Sequence, residues 1–403
     1  MWTYHPDLLS KPVPRYTSYP TAVDFSDSVG AIDYWRALDR IESATPLSLY
    51  VHIPYCEQIC WYCGCNTGAA NRKQRLTDYL TALRSEIGLV AKRLGGRGRV
   101  KHIAFGGGSP NAISPVEFVR LLDRIQTVFD TSQPEISIEI DPRNFSVEWA
   151  LVLAASNVNR VSMGVQTFEP HIQQAIGRVQ PLADIEAAMT ALRTRGINAI
   201  NFDLMYGLPG QHRDDLEATL DETIRLSPSR IALFGYAHLP DMIPRQRRID
   251  ASDLPDDRER FELAAFGYEK LTRAGYVAIG FDHFARPDDS LAIAAREGRV
   301  NRNFQGFTHD DAQTVLGFGA SAISIMPDLI TQNEKRAGPY RKLVADGKLA
   351  SVRGVVLVAL LQVLAVVAAA VFMLRYREPV PTRDVAPFVD DPELVRQGLL
   401  GAD

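Results

Sequence analysis

Short apolar runs recur along the chain as PLSLYVHI (46–53), VKHIAFG (100–106), ISIEID (136–141), RVSMGV (160–165), AINFDLMYG (199–207) and IALFGYA (231–237). Helix-period segments separate them. One is VEFVRLLDRIQTVF (116–129), which Ser114 opens as N-cap, with Pro115 in the first turn and Glu117 completing a capping box. Most of the runs read as apolar on both faces, and strands of that kind alternating with helices argue for a parallel sheet clad by helices. The expected fold class is therefore α/β, a partial (β/α) barrel of the TIM type. Chemistry in such barrels gathers at the carboxyl ends of the strands, so polar residues that interrupt an apolar run near its end are the ones to follow.

All four cysteines among the 403 residues, Cys56, Cys60, Cys63 and Cys65, fall within HIPYCEQICWYCGC (52–65). The amino terminus, MWTYHPDLLSKP, has no apolar h-region, so the catalytic part is expected in the cytoplasm with its thiols reduced, which removes a disulfide framework. A structural zinc site would bring a second cysteine pair, and a thioredoxin-like reading of CWYC (60–63) leaves Cys56 without a role. Iron and sulfide fit the spacing better: each thiolate can take a different iron of a [4Fe-4S] cube, and three ligands leave one iron open. An open iron is what S-adenosylmethionine needs if its amino and carboxylate groups are to chelate the cluster. The C-x-x-x-C-x-x-C pattern, with aromatic Tyr62 before its last cysteine, resembles the signature of the radical S-adenosylmethionine (SAM) superfamily. Cys65 reads either as a spare thiol or as a residue near substrate.

A net charge of -4 gives no reason to expect nucleic acid, and an anionic ligand must be met by local arginines. Strand ends supply the other candidates. Gly106, Gly107, Gly108 and Ser109 follow the second run, Glu139 ends the third, Gln166 ends the fourth, and Asp203 interrupts the fifth. Arg178, shortly after Gln166, is placed to pair with a carboxylate. Taken singly, each has a plainer reading as a turn, a cap or a solvated side chain. Convergence on one barrel mouth is what favours a site.

Motifs in order along the chain resemble the oxygen-independent coproporphyrinogen III oxidase family of the radical SAM superfamily. They are PRYTSYPTA (14–22), the cysteine loop, FGGGSPN (105–111), SIEIDPRN (137–144), RVSMGVQTF (160–168), NFDLMYGLPGQ (201–211), FGYAHLP (234–240), FDHFARPDDSLA (281–292), NRNFQGFT (301–308) and LGFGASAIS (316–324). The resemblance runs to about Arg353. It implies Cys56, Cys60 and Cys63 as cluster ligands and two SAM molecules, the first lined by Tyr50, Gly107, Glu139 and Ile323. Tyr62, Gly108, Ser109, Gln166, Arg178, Asp203 and Ala237 match positions around the second. Ser109 stands where threonine is more usual. The chemistry implied is reductive cleavage to a 5′-deoxyadenosyl radical, hydrogen abstraction from a propionate β-carbon and loss of CO2. Done twice, this turns coproporphyrinogen III into protoporphyrinogen IX without O2. The resemblance also implies a monomer and a reducing donor such as flavodoxin or ferredoxin. Arg15, Arg286 and Arg302 are candidates for holding propionates. A haem chaperone of the same superfamily and a catalytically silent homologue are the alternatives.

After SVRG (351–354) the pattern breaks. Residues 355–374 contain one polar member, Gln362, which matches a membrane-spanning helix, and a polar tail follows. Basic residues before it place the barrel on the cytoplasmic side, tethered to the inner membrane. A reading-frame accident that replaced the family's helical closing domain is the competing explanation, favoured by the abruptness of the switch and by a tail that offers no chemistry. The organisation expected is an arm (1–45), a barrel core (46–240), remaining barrel and substrate-side elements (241–353), the apolar helix (354–375) and the tail (376–403).

Overall fold

The computed structural model describes residues 2–9, 20–304 and 306–357. The six runs read from the sequence form strands β1 (Pro46–Ile53), β2 (Arg99–Gly107), β3 (Glu135–Ile140), β4 (Arg160–Gln166), β5 (Ala199–Tyr206) and β6 (Arg230–Gly235). They lie side by side in chain order, every neighbouring pair parallel. Six further strands widen this sheet: β7 (Val277–Ile279), β8 (His283–Ala285), β9 (Thr314–Phe318), β10 (Ile323–Met326), β11 (Leu329–Asn333) and β12 (Ser351–Val356). Strand β9 runs parallel to β1 and continues into the antiparallel β10, β11 and β12, while β8 and then β7 extend the β6 side antiparallel. The order is β12-β11-β10-β9-β1-β2-β3-β4-β5-β6-β8-β7, and no pairing joins its two ends among the described residues. The barrel is thus partial, and one continuous sheet draws strands from both sides of residue 240.

Strands β3, β4 and β5 alternate, whereas β1 and β6 are buried at consecutive positions. In β3, β4 and β5, the buried Ile136, Ile138, Ile140, Val161, Met163, Val165, Ile200, Phe202 and Leu204 join the main hydrophobic core. The alternate positions carry Glu135, Ser137, Glu139, Ser162, Gly164, Asn201 and Asp203, and these face the barrel interior. For these three strands this corrects the expectation of apolar residues on both faces; β1 and β6 meet it. A barrel that fills its interior with a ligand keeps polar groups there, and small residues such as Ser137 and Gly164 disguise the period-2 pattern.

Helix Pro115–Val128 begins as expected, with the Ser114 side chain accepting from the Glu117 N–H at 3.3 Å. The capping box is not completed. Arg84 takes the Glu117 carboxylate at 2.7 Å, and Arg120 also binds it. Helix Lys73–Leu94 buries Glu86 in a closed set of donors, with the Gly319 N–H at 2.7 Å, the Tyr340 hydroxyl at 2.7 Å and the Asn333 amide at 2.7 Å. Burial still pushes the Glu86 carboxyl up to about 7, those three hydrogen bonds opposing the rise.

Ionic contacts close the amino end of the barrel. A short antiparallel pair, Asn301–Asn303 with Gly306–Thr308, leads into His309 and Asp310. His309 meets Glu135 at 3.0 Å, His102 meets Asp310 at 3.3 Å, and the Ser48 hydroxyl donates to Asp310. Arg160 and Arg230 flank them on Asp289, at 3.3 and 2.7 Å.

Two expectations change at the carboxyl end. Gly354, Val355 and Val356 are not the start of a helix: they finish β12, opposite Thr331, Ile330 and Leu329. Residues 358–375 and the tail 376–403 lie outside the described residues, and no helix among those described is long and apolar enough to cross a membrane.

Candidate active site

The cysteine loop leaves the carboxyl end of β1 and lies against the carboxyl end of β2. Cys56 ends a two-residue strand, Tyr55–Cys56, paired with Gly68–Ala69, and its Sγ lies 3.2 Å from the Thr67 hydroxyl. Cys60 is buried, Cys56 and Cys63 are half-buried, Cys65 is exposed, and all four are free thiols. The Cys65 N–H points to Cys63 Sγ at 3.4 Å. Burial pushes the Cys56 thiol up to about 11, whereas Cys63 is lowered to about 6, chiefly through its hydrogen bond with Cys65.

The glycines after β2 are set by crowding within the protein. A β-carbon on Gly107 would stand 2.6 Å from the His52 ring, and one on Gly108 would stand 2.6 Å from the Tyr55 carbonyl oxygen. The Gly108 and Ser109 N–H groups donate to the Ile53 and Tyr55 carbonyls at 2.9 and 2.8 Å, so this turn is stitched onto the start of the cysteine loop. Gly107 at φ +114° also gives its N–H to Glu139 at 3.1 Å.

Inside the barrel, burial holds Glu139 up to about 7, with Asp203 adding to the rise and the Gly107 N–H opposing it. Asp203 is raised too by burial, against hydrogen bonds from Ser162 at 3.0 Å and Asn201 at 2.9 Å. Both carboxyls are thus raised, and a cationic or hydrogen-bonding group beside them would oppose the rise. Tyr50 lies 3.2 Å from His52 Nδ1 and pairs in register with Gly317, whose missing β-carbon leaves space for the Ile323 backbone. Gln166, at φ +69°, ends β4 close to Arg178, and both crowd Gly164. Tyr62 packs beside Ile172, Ile176 and Tyr236, and the Gln246 amide ties the Tyr62 carbonyl (2.8 Å) to that of Ala237 (3.1 Å). Ser109 gives its hydroxyl to Asn111 at 2.6 Å.

The structure therefore gathers Tyr50, Cys56, Cys60, Cys63, Gly107, Gly108, Ser109, Glu139, Gln166, Arg178 and Asp203 at the carboxyl ends of β1 to β5, with Tyr62, Ala237 and Ile323 at the flanks. Arg286 stands elsewhere. Strand β8 runs antiparallel to β6, so Arg286 follows its last residue down to the amino end, where it meets Ser227 at 2.8 Å and Ser229. Arg302 stacks on Phe307, its guanidinium carbon 4.8 Å from the ring centre, and Arg15 lies outside the described residues. Sequence reasoning missed Asn111, Asp141 and Arg143. The available signal was DPRN (141–144), an acid and a base directly after the third strand.

The donor set suits an iron–sulfur cluster bound with SAM. Three thiols share one loop, and guanidinium N–H groups from Arg143 and Arg178 already point at the sulfur of Cys60.

Residues 50–223 match the Radical SAM superfamily. Oxygen-independent coproporphyrinogen III oxidase of Bradyrhizobium diazoefficiens is 44% identical over 343 residues, spanning 85% of this chain and 76% of that protein. The chain belongs to the oxygen-independent coproporphyrinogen III oxidase family. Another member, from Escherichia coli, is 40% identical over 345 residues, which are 85% of this chain and 75% of its own. A solved structure of coproporphyrinogen III oxidase from Escherichia coli, described as a radical SAM enzyme, matches with a TM-score of 0.83 and 38% identity, covering 89% of this chain and 81% of that one. As a radical SAM member of this oxidase family, the chain is an oxidoreductase of haem biosynthesis that uses a [4Fe-4S] cluster and SAM.

Proposed function

We propose that this chain converts coproporphyrinogen III to protoporphyrinogen IX by oxidative decarboxylation of two propionates. The observation that carries the proposal is the convergence, at one end of the parallel strands, of three free thiols with Glu139 and Asp203 inside the barrel. Cys56, Cys60 and Cys63 would hold the cluster. Tyr50, Gly107, Glu139 and Ile323 would line one SAM, and Tyr62, Gly108, Ser109, Gln166, Arg178, Asp203 and Ala237 a second. When bound, the cluster supplies the electron that cleaves SAM to an adenosyl radical.

The chain's own residues confine and orient. Burial raises Glu139 and Asp203, so an ammonium or ribose hydroxyls that favour their charged form would bind and charge them together. The aromatic and apolar packing around Tyr62 and Tyr236 excludes water from a radical that would attack any nearby C–H bond. Arg302 remains the described candidate for a propionate. The reading includes a monomer in the cytoplasm, reduced by a flavodoxin or ferredoxin. It takes residues 46–240 as the SAM-binding core, 241–353 as substrate-side elements, and residues before 46 as an arm.

Anaerobic reconstitution with iron and sulfide, followed by assay of 5′-deoxyadenosine and protoporphyrinogen from coproporphyrinogen III, tests this. Deoxyadenosine formed in step with product supports it; a reconstituted cluster that yields neither overturns it.

A further inference from the structure

Arg143 and Arg178 converge on one sulfur. Arg143 Nη2 lies 3.5 Å from Cys60 Sγ, and Arg178 Nη1 lies 3.3 Å from it. Both guanidiniums lean on the same carboxylate. Arg143 grips Asp141 through Nε at 3.0 Å and Nη2 at 2.5 Å, while Arg178 reaches Asp141 at 3.3 Å and the Gly164 carbonyl at 2.5 Å. The two arginine side chains are only 6% and 7% exposed, so water does little to screen them. Two cations on one anion leave a surplus positive charge, and Cys60 Sγ is the acceptor that both face. The scaffold is rigid: Asn111 exchanges hydrogen bonds with the Asp141 backbone at 2.9 Å in each direction, and Gln58 of the cysteine loop accepts from Arg143 at 3.1 Å.

Of the two arginines, Arg178 matches a family SAM position. Nothing about a SAM contact explains Arg143, whose fork is spent on Asp141, Gln58 and the sulfur.

We propose that Arg143 is a positioning residue that sets the reduction potential of the cluster, by holding a charged N–H against Cys60 Sγ and fixing the loop through Gln58. This rests on the reading of Cys60 as a cluster ligand. A cationic donor on a ligating thiolate withdraws electron density from the iron it serves and favours the reduced, more negative state, raising the potential. The half-reaction is uptake of one electron by the cluster from an external low-potential reductant, with no bond made or broken in the protein.

The test is an anaerobic potentiometric titration of the reconstituted full chain, followed by low-temperature paramagnetic resonance, on wild type, Arg143→Met and Arg143→Lys. Iron and sulfide are assayed in each sample. Arg143→Met is expected to fill with cluster and to be about tenfold harder to reduce, a shift of ~59 mV to more negative potential for one electron. Arg143→Lys keeps the charge but cannot span Asp141 and Cys60 together, and is expected to fall between the two. Wild-type potentials in both filled variants would overturn the inference. So would failure of both to hold cluster, because Arg143 would then be needed for assembly alone. A wild-type chain that binds no cluster would instead defeat the ligand assignment, and the two failures are told apart by its iron content.

Discussion

Glu86 shows how a single buried acid makes stability depend on pH. Its folded-state value of about 7 lies above that of an exposed glutamate, so its contribution is fully present below about pH 4.3 and is lost as pH rises through 7. Relative to Glu86→Gln, which does not titrate, the wild type should lose roughly 3 kcal/mol between pH 4.5 and 7.5. Denaturant unfolding of both proteins across that range checks this, and a pH-independent difference between them would refute it. At the cysteine loop, Cys63→Ser is expected to fold but to retain less than about half of the wild-type iron after reconstitution, since a serine hydroxyl is a poor replacement for a soft thiolate. Colorimetric iron and sulfide assays read this directly. The three ligand candidates could be picked out from spacing, but the arginines behind Cys60 could not. Arg143 and Arg178 follow different strands, and only the parallel pairing of β3 with β4 brings them to the same sulfur.

Among the elements, the turn after β2 is the one least able to change. Gly108→Ala drives a methyl into the Tyr55 backbone, and the movement needed should weaken SAM binding by about tenfold, or ~1.4 kcal/mol, by equilibrium dialysis. Ser114→Ala, by contrast, should cost about 1 kcal/mol of stability in thermal or urea unfolding without touching SAM affinity, because it removes a cap on the outer layer. Sequence periodicity recovered β1 to β6 within about one or two residues. It did not recover β7 to β12. Strands such as Val277–Ile279 and His283–Ala285 are three residues long, too short to display a period, and exist because the parallel sheet offers them an edge. Glu117 is a similar case. Its spacing from Ser114 announced a capping box, but Arg84 on the neighbouring helix is a stronger partner than an N–H, and tertiary contact decided the outcome.

The whole molecule has two unlike ends. Strand carboxyl ends hold thiols, glycines and carboxyls waiting for ligands, while the amino end is locked by Glu135, His309, His102, Asp310, Arg160 and Asp289. Burial alone would raise Glu135, but the His309 hydrogen bond and the charges of His309, Arg160 and His102 hold it down to about 2. Its contribution is therefore present above about pH 4.3 and is lost as pH falls toward 2. Glu135→Gln should be less stable at pH 7 by about 1 kcal/mol, allowing for partial exposure, yet lose less stability between pH 5 and 2. An acid titration followed by circular dichroism distinguishes the two proteins, and parallel curves would count against the lock. One small contact at the rim reaches further than its size suggests. Ser26 exchanges backbone hydrogen bonds with Gly354, at 2.7 and 3.0 Å, on the outermost strand of the sheet. A chain clipped ahead of residue 30 would lose that bridge and bare the Gly354 amide and carbonyl on an edge strand to any extended peptide nearby, and self-association in solution would then be the first symptom of damage.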